Sequence, residues 1–405
     1  MISRALGELT DVPEYENVLV FISDSLRYDA LPDRIRSKGV TGKTIAAAPW
    51  TASSIPSLVT GKYPSTHNVW MFEDRLSDRP ILLSEPDDWT AGFNSEKHWL
   101  KFDSAEKPPI KMLRLNGEQR LSELEPPFVH VIHDLGPHAP YGFENDEYDT
   151  ESFFEDYSDP EELKRRYHED TEKSARYFER VLDELDSEGS LEDTLCVFTS
   201  DHGELLGEGG RLGGKWGHST PLCPELLEVP MTFIGAGLPE GEKLNGLVSG
   251  VDLAPTCLSA VGRPTGNVDG IDLWTETPNE DRFVRSDVWQ RYDALDRTWP
   301  VYVASSLWDN EGGWVKHRRS NLLRMAYYGY DVFLGDYAPP ARKTAGIRDI
   351  ISGFQYWGRR WSSFGNPNIS QDVADQELAD DLVENEESEE FSEEQAEHLE
   401  ALGYL

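Results

Sequence analysis

A carboxylate and an imidazole stand side by side at Asp201-His202, just past the apolar run from Thr194 to Thr199. Both are good ligands for a divalent cation of hard or borderline character. Gly203 then permits a tight turn. Asp24 closes a second apolar run, Asn17 to Ser23, and a third, Phe128 to Ile132, ends at His133-Asp134. Each alone says little, because Asp is a common helix N-cap and Asp-His pairs arise by chance. Together they matter: ligand-type side chains at the same end of several strands converge on one site.

A second chemistry-bearing stretch runs from Ala48 to Gly61 and carries Thr51, Ser53, Ser54, Ser57 and Thr60. A hydroxyl at a helix N-terminus gains from the dipole and the exposed amides, which favour an alkoxide or a bound oxyanion. The same hydroxyls also serve as ordinary N-caps. Residue types alone do not choose between these roles, nor among the hydroxyls.

The elements that must position these groups alternate between strand and helix. Apolar runs at 17–23, 89–93, 128–132, 194–199 and 229–234 read as strands. Ser25 to Lys38, closed by Gly39, reads as a helix, as do Glu161 to Leu185 and Val251 to Val261. Alternation of this kind predicts an α/β fold with a doubly wound, mostly parallel sheet. Ligands in such sheets bind beyond the carboxyl ends of the strands. The pattern assigns residues 1–270 to one catalytic unit. Residues 271–370, rich in Trp, Tyr, Arg and Gly, form a small C-terminal subdomain with an antiparallel sheet and a helix. Within 371–405, residues 371–396 read as an acidic linker and Glu393 to Leu405 as a terminal helix.

Composition narrows the partners. The 405 residues hold 75 acids against 38 bases, a formal charge of −37, and Lys is the scarcer base. No Lys or Arg occurs between Gln371 and Glu400, yet the rest of the chain stays strongly acidic. A nucleic-acid partner is excluded, since a phosphate backbone needs Lys and Arg to displace its counterions. The acidity reads as adaptation to high salt, where the Debye length falls to roughly 3 Å at 1 M. Cys196, Cys223 and Cys257 are too few and too scattered for a disulfide framework. No apolar stretch is long enough to span a membrane, and Met1 to Glu16 lacks a signal-peptide core. The expected location is the cytoplasm, and the sequence does not set the oligomeric state.

The blocks NVLVFISDSLRYDAL, PWTASSIPSLVTGKYPSTHNV, FVHVIHDLGPHAPY, FTSDHGELLGEGG, KWGHSTPLCPELLEVPMTFIG, VSGVDLAPTCLSAVG and LEALGYL occur in that order. In this order they resemble the sulfatase family of the alkaline phosphatase superfamily, over residues 17–265 and the tail. The resemblance implies an alkaline phosphatase-like fold and a divalent metal (Ca, Mg, Mn or Zn). It implies metal ligation by Asp24, Thr51, Asp201 and His202. The family's nucleophile segment ends in Thr-Gly, and counting back from Thr60 lands on Thr51, with Ser54 the alternative and Ser53 a distant third. Ser53 then stands where the family has Pro, and Ile55 where it has Arg. A Thr cannot become formylglycine by the Cys/Ser route, so Thr51 resembles the Thr nucleophile of phosphodiesterases and lipoteichoic acid synthases of the superfamily.

Carried over from the family, His138 and His218 bind the anionic group or protonate the leaving oxygen, with Lys215 assisting in substrate binding. Asp134 and His138 have the Asp-x-x-x-His spacing of the two-metal branch, so Asp134, His138 and His218 are candidates for a second ion. The expectation is a metal-dependent hydrolase or transferase of sulfate or phosphate esters, phosphodiesters favoured. Its substrate is a small-molecule or glycan- or lipid-linked anionic ester. A strict sulfatase and a catalytically silent binding relative are the alternatives.

Overall fold

The computed structural model describes residues 1–85, 89–96, 102–142, 149–294, 297–385 and, apart from 389–390, 393–394 and 397–398, residues 387–399. The main sheet is built from β1 (Asn17–Ser23), β2 (Val40–Ile45), β3 (Thr90–Glu96), β4 (Phe128–Asp134), β5 (Thr194–Thr199), β6 (Glu228–Ile234), β7 (Glu242–Lys243) and β8 (Val248–Ser249). Its order is β8-β2-β6-β5-β1-β4-β3, with β7 beside β2. The pairs β1–β4, β1–β5 and β3–β4 are parallel, and β6 alone runs against its neighbours β2 and β5.

The central strands are apolar throughout rather than alternating because both faces are covered. Val18, Val20 and Ile22 of β1 face a core shared with helix α1 (Thr51–Thr60). Leu19 and Phe21 face the opposite core, against Ala175, Phe178, Val181 and Leu185 of helix α2 (Pro160–Ser187). Phe21 stacks on Phe198 at 5.6 Å and meets Phe178 at 5.3 Å. Helix α2 starts cleanly: Asp159 caps the amide of Glu162, and Pro160 stands in the first turn where its missing N–H costs nothing. On the α1 side lies helix α3 (Leu253–Ala260).

The helix expected over Ser25 to Lys38 is only a 3-10 turn at Tyr28–Ala30 and one turn at Asp33–Arg36, because Pro32 cannot continue a helix from its N-terminal side. Strand β2 was missed, because Gly42 and Lys43 interrupt its apolar pattern.

After residue 280 the chain builds a second sheet of β9 (Val284–Ala294), β10 (Arg297–Asp309), β11 (Gly312–His317) and β12 (Trp361–Gly365), antiparallel in that order. Helices α4 (Asn321–Phe333), α5 (Ala338–Thr344) and α6 (Ile347–Trp357) fill the connection before β12. The buried Arg324 of α4 donates to the carbonyls of Trp357, Arg319 and Arg359, satisfying the end of α6 without an acid partner. The expected acidic linker is partly ordered. It opens with helix α7 (Gln371–Glu377), and Asp375 and Asp380 pair with Lys316 and Arg285. Cations of the second sheet thus hold part of the acidic stretch in place. The terminal helix expected over 393–405 falls largely outside the described residues.

Candidate active site

The strand register brings the ligand types together. Ser23 of β1 lies beside Asp134 of β4, and Ile22 beside both His133 and Thr199 of β5. Asp24, His133 and Asp201 therefore emerge at one edge, fully buried, each with a ligand atom within 4.8 Å of the others. His133 Nε2 is 3.2 Å from Asp24 Oδ2. His202 Nε2 is 3.4 Å from Asp24 Oδ1 and 3.5 Å from Asp201 Oδ2.

Local backbone locks this arrangement. Ser25 follows Asp24 with φ of 61°, a left-handed conformation uncommon for a residue with a side chain, and its amide points at Asp201 Oδ1. Tyr167 of α2 donates to the Ser25 carbonyl and so fixes the turn from the opposite layer. Gly136, also left-handed, packs so closely that a Cβ there would come within 2.6 Å of the Asp24 carbonyl.

Thr51 is the first residue of α1. Its Oγ1 lies 3.1 Å from His202 Nε2 and 3.4 Å from Asp24 Oδ2. His202 Nδ1–H donates to the Gly203 carbonyl, and Nε2 faces Thr51 Oγ1. The other hydroxyls of α1 face elsewhere. Ser54 donates to the Asp201 carbonyl at 2.6 Å, Ser53 to the Trp70 carbonyl and Ser57 to the Ser53 carbonyl.

Charge in the cluster is strongly biased. Burial would raise the Asp24 carboxyl, but His138, His133 and His202 outweigh it and hold the group well below the usual carboxylate value. Burial, with Asp24 beside it, pushes Asp201 up. Burial would lower His202, yet Asp201 and Asp24 raise it. An imidazole that is so drawn toward its charged form, between two carboxylates, marks a place where positive charge is wanted. Asp201 Oδ2 accepts no hydrogen bond from the described residues. Two carboxylates, two imidazoles and this unsatisfied oxygen fit a divalent cation.

On the other side of the cluster the His138 and His218 rings lie 4.8 Å apart, and His218 stacks on His202 at 4.9 Å. His138 Nδ1–H donates to the Ala139 carbonyl. Burial lowers both groups, His218 to about 3. Glu204 is wholly buried beside them. Tyr141 donates to its Oε1, its Oε2 is 3.6 Å from His218 Nδ1, and burial pushes it up to about 7 against the pull of His138 and His202.

Sequence reasoning placed Asp24, Thr51, Asp201, His202, His138 and His218, and the structure brings these six together. Asp134 lines a cavity together with His138, and Lys215 lies near enough to His218 to help lower it, while each is also engaged elsewhere. Asp134 Oδ2 accepts from Ser174 Oγ and the Gly136 amide. Lys215 Nζ pairs with Asp331 of α4 at 2.6 Å. His133 and Glu204 were not singled out as site residues. The signal for His133 was present, since it ends the third strand; Glu204 had none beyond its place after Asp-His-Gly.

Beside His138 lies a cavity of about 330 Å³. Lys173, Arg176, Tyr177 and Arg180 line it from one face of α2, at spacings of three, four and seven residues. Asp134 and Asp170 also line it.

The parallel sheet gathers acids and imidazoles at its strand ends, in a buried group that could hold a metal ion, with a hydroxyl beside it. A family model described as Sulfatase matches residues 111–263. A relative from Haloferax volcanii, "Low-salt glycan biosynthesis sulfotransferase Agl7", is 73% identical over 405 residues, which is all of both chains. "Extracellular sulfatase SULF-1 homolog" of Drosophila melanogaster is 39% identical over 27% of this chain and 10% of its own length. Among solved structures, a phosphonate monoester hydrolase of Silicibacter pomeroyi aligns with a TM-score of 0.55 at 18% identity, covering 75% of this chain and 87% of that one. The 2-O GAG sulfatase BT1596 aligns with a TM-score of 0.56 at 15% identity, covering 75% and 83%. The chain belongs to the sulfatase family of the alkaline phosphatase superfamily and is a sulfatase-like enzyme.

Proposed function

We propose that this protein moves a sulfuryl group from an anionic sulfate ester to a glycan hydroxyl, through a covalent intermediate on Thr51. The observation that carries this reading is Thr51 Oγ1 at the start of α1, 3.1 Å from His202 Nε2 and 3.4 Å from Asp24. The full-length relative named as a glycan biosynthesis sulfotransferase supports sulfur as the transferred centre and a glycan as acceptor.

Asp24, His133, Asp201 and His202 would hold one divalent ion, with Thr51 Oγ1 completing the set. Such an ion lowers the pKa of a bound hydroxyl and neutralises ester oxygens. The chain's own residues supply the rest. Thr51 Oγ1 releases its proton to solvent and attacks sulfur; the bond from sulfur to the donor oxygen breaks, and that oxygen takes a proton from the His138/His218 side, where Glu204, pushed up to about 7, carries one. The acceptor hydroxyl then gives its proton to that same side and attacks sulfur of the Thr51 sulfate ester, and the bond from sulfur to Thr51 Oγ1 breaks, with Thr51 recovering its proton from solvent. Water in place of the acceptor gives hydrolysis. The amides at the start of α1 favour the charge that builds on the oxygens. Lys173, Arg176 and Arg180 would attract an anionic substrate that the acidic molecule otherwise repels. Asp134 supports α2 and β4 through Ser174, and Lys215 tethers its loop to α4; neither is needed for this chemistry.

A phosphoester substrate is the second reading. Ile55 stands where the family carries Arg, and the nucleophile is a Thr. The acidity of the whole chain we take as adaptation to salt. The test is a panel of aryl sulfate, phosphate monoester, phosphodiester and phosphonate ester donors, with and without a glycan acceptor, on wild type and Thr51→Ala. Sulfated acceptor from wild type alone supports the proposal. Phosphoester turnover without sulfate transfer would favour the second reading.

A further inference from the structure

The three helices before β12 are built inside out. On α4, Leu322, Ala326, Tyr330 and Phe333 recur at helical spacing, and with Leu334 all are exposed. Leu322 is 73% and Leu334 76% exposed. On α6, Ile347 and Ile351 lie on one outer stripe with Gln355, and Ile347 is 76% exposed. Six of the twelve exposed large hydrophobic residues among those described belong to this short region. The inner faces are fully used: Tyr328 packs on Trp357 and Phe354 between α4 and α6. The outer apolar side chains are therefore surplus to the core.

Charge in this region runs against the rest of the chain. Between residues 316 and 361 there are nine Lys or Arg and three Asp or Glu, a local +6 in a chain of −37. Lys316 meets Asp375 of α7, and Arg318 meets Asp380 just beyond it. Arg348, Arg359 and Arg360 are exposed and form no ion pair among the described residues, and Arg342 and Lys343 are exposed on α5. A soluble surface rarely keeps several large apolar side chains together without a partner. Aliphatic and aromatic side chains flanked by Arg and Lys on helices are the composition of a surface that lies in a lipid interface.

We propose that the outer face of α4, α5 and α6 docks on an anionic lipid membrane. Charge decides for lipid over a second copy of the chain: with Lys316, Arg318 and Arg324 already engaged, six exposed bases remain against three acids, a surplus of +3 that a two-fold contact would set against itself, whereas an anionic bilayer complements it. The docking is peripheral, since among the described residues no helix is long and apolar enough to cross a membrane. The same helices brace the His218 loop. Trp216 donates to Thr344 of α5, Lys215 pairs with Asp331 of α4, and Gly217 lies against the Tyr337 ring. Membrane docking would hold that loop, and with it the site, near substrates at the lipid surface. The proposal does not depend on the chemistry assigned to Thr51.

Co-sedimentation with vesicles tests it, over KCl concentrations at which circular dichroism shows a folded protein. Wild type should bind phosphatidylglycerol/phosphatidylcholine vesicles about tenfold or more tightly than phosphatidylcholine alone, and less tightly as salt rises. The Ile347→Glu/Ile351→Glu variant should lose about tenfold in binding, from lost apolar insertion. An independent variant, Arg342→Glu/Arg348→Glu, should lose a similar factor. Both should turn over a soluble ester like wild type, which shows that they fold. Val373→Glu, exposed on α7 outside the patch, should bind like wild type. Wild type left in the supernatant with anionic vesicles, or folded patch variants that pellet like wild type, would overturn the proposal. So would light scattering that shows a dimer abolished by the patch variants, since the face would then pair with itself.

Discussion

Thr51 is one of five hydroxyls on α1, and its neighbours separate it from the rest. Ser53, Ser54 and Ser57 each give their proton to a backbone carbonyl, a structural bond that a nucleophile would have to break. Thr51 faces a carboxylate and an imidazole. Thr51→Ala is therefore expected to cost three or more orders of magnitude in kcat, roughly 4 kcal/mol or more of barrier, with metal content unchanged. Ser54→Ala should lose only about 1 kcal/mol of stability and keep most activity. Single-turnover kinetics with metal analysis on both variants checks this. His138→Gln tests the proton assignment through a leaving-group series. Rate loss should grow as the leaving group becomes more basic, and a uniform loss would point to binding instead.

At the scale of elements, the site depends on three strand ends kept in register. Gly136 controls that register, since a Cβ there would collide with the backbone of Asp24. Gly136→Ala should weaken metal retention far more than it lowers the unfolding temperature, as equilibrium dialysis and calorimetry would show. Farther out, Asp252 at the start of α3 is fully buried and takes both guanidinium nitrogens of Arg282 at 2.7 and 2.8 Å. Arg282→Ala leaves that charge unpaired and should cost about 3 kcal/mol. Much of this framework could be read in the sequence. Strands β1, β4 and β5 are buried on both faces, so their runs are apolar throughout and end sharply at Asp24, His133 and Asp201. Strand β2 could not be read, because the pairing that stabilises Gly42 and Lys43 comes from β6, nearly two hundred residues away. The engagement of Lys215 by Asp331 was hidden for the same reason, as was the helix at Gln371–Glu377. Spacing names ligand types; only tertiary packing says which of them are already occupied.

At the scale of the molecule, a charge of −37 implies self-repulsion that salt relieves. Unfolding temperature should rise steadily with KCl, and a flat response would remove the reading of salt adaptation. Acid should act in the other direction. Burial lowers His67 to about 3, His130 to about 4 and His317 to about 3, so these stay neutral in the folded chain. The unfolded chain binds protons there below about 6.5, so stability is lost as pH falls from about 6.5 toward 4. His317, whose ring rests against Tyr302 and Tyr356 and makes no hydrogen bond to the described residues, offers a check. His317→Leu should make the fall in unfolding temperature shallower across that range. All of these bear on the framework, whereas the central claim is transfer through Thr51. It is tested most directly by incubating the metal-loaded enzyme with a radiolabelled sulfate ester, quenching in acid and mapping the label. The account predicts label on the peptide that carries Thr51, discharged on adding a glycan acceptor and absent from Thr51→Ala. Steady turnover with no label on that peptide, and undiminished in Thr51→Ala, would contradict it.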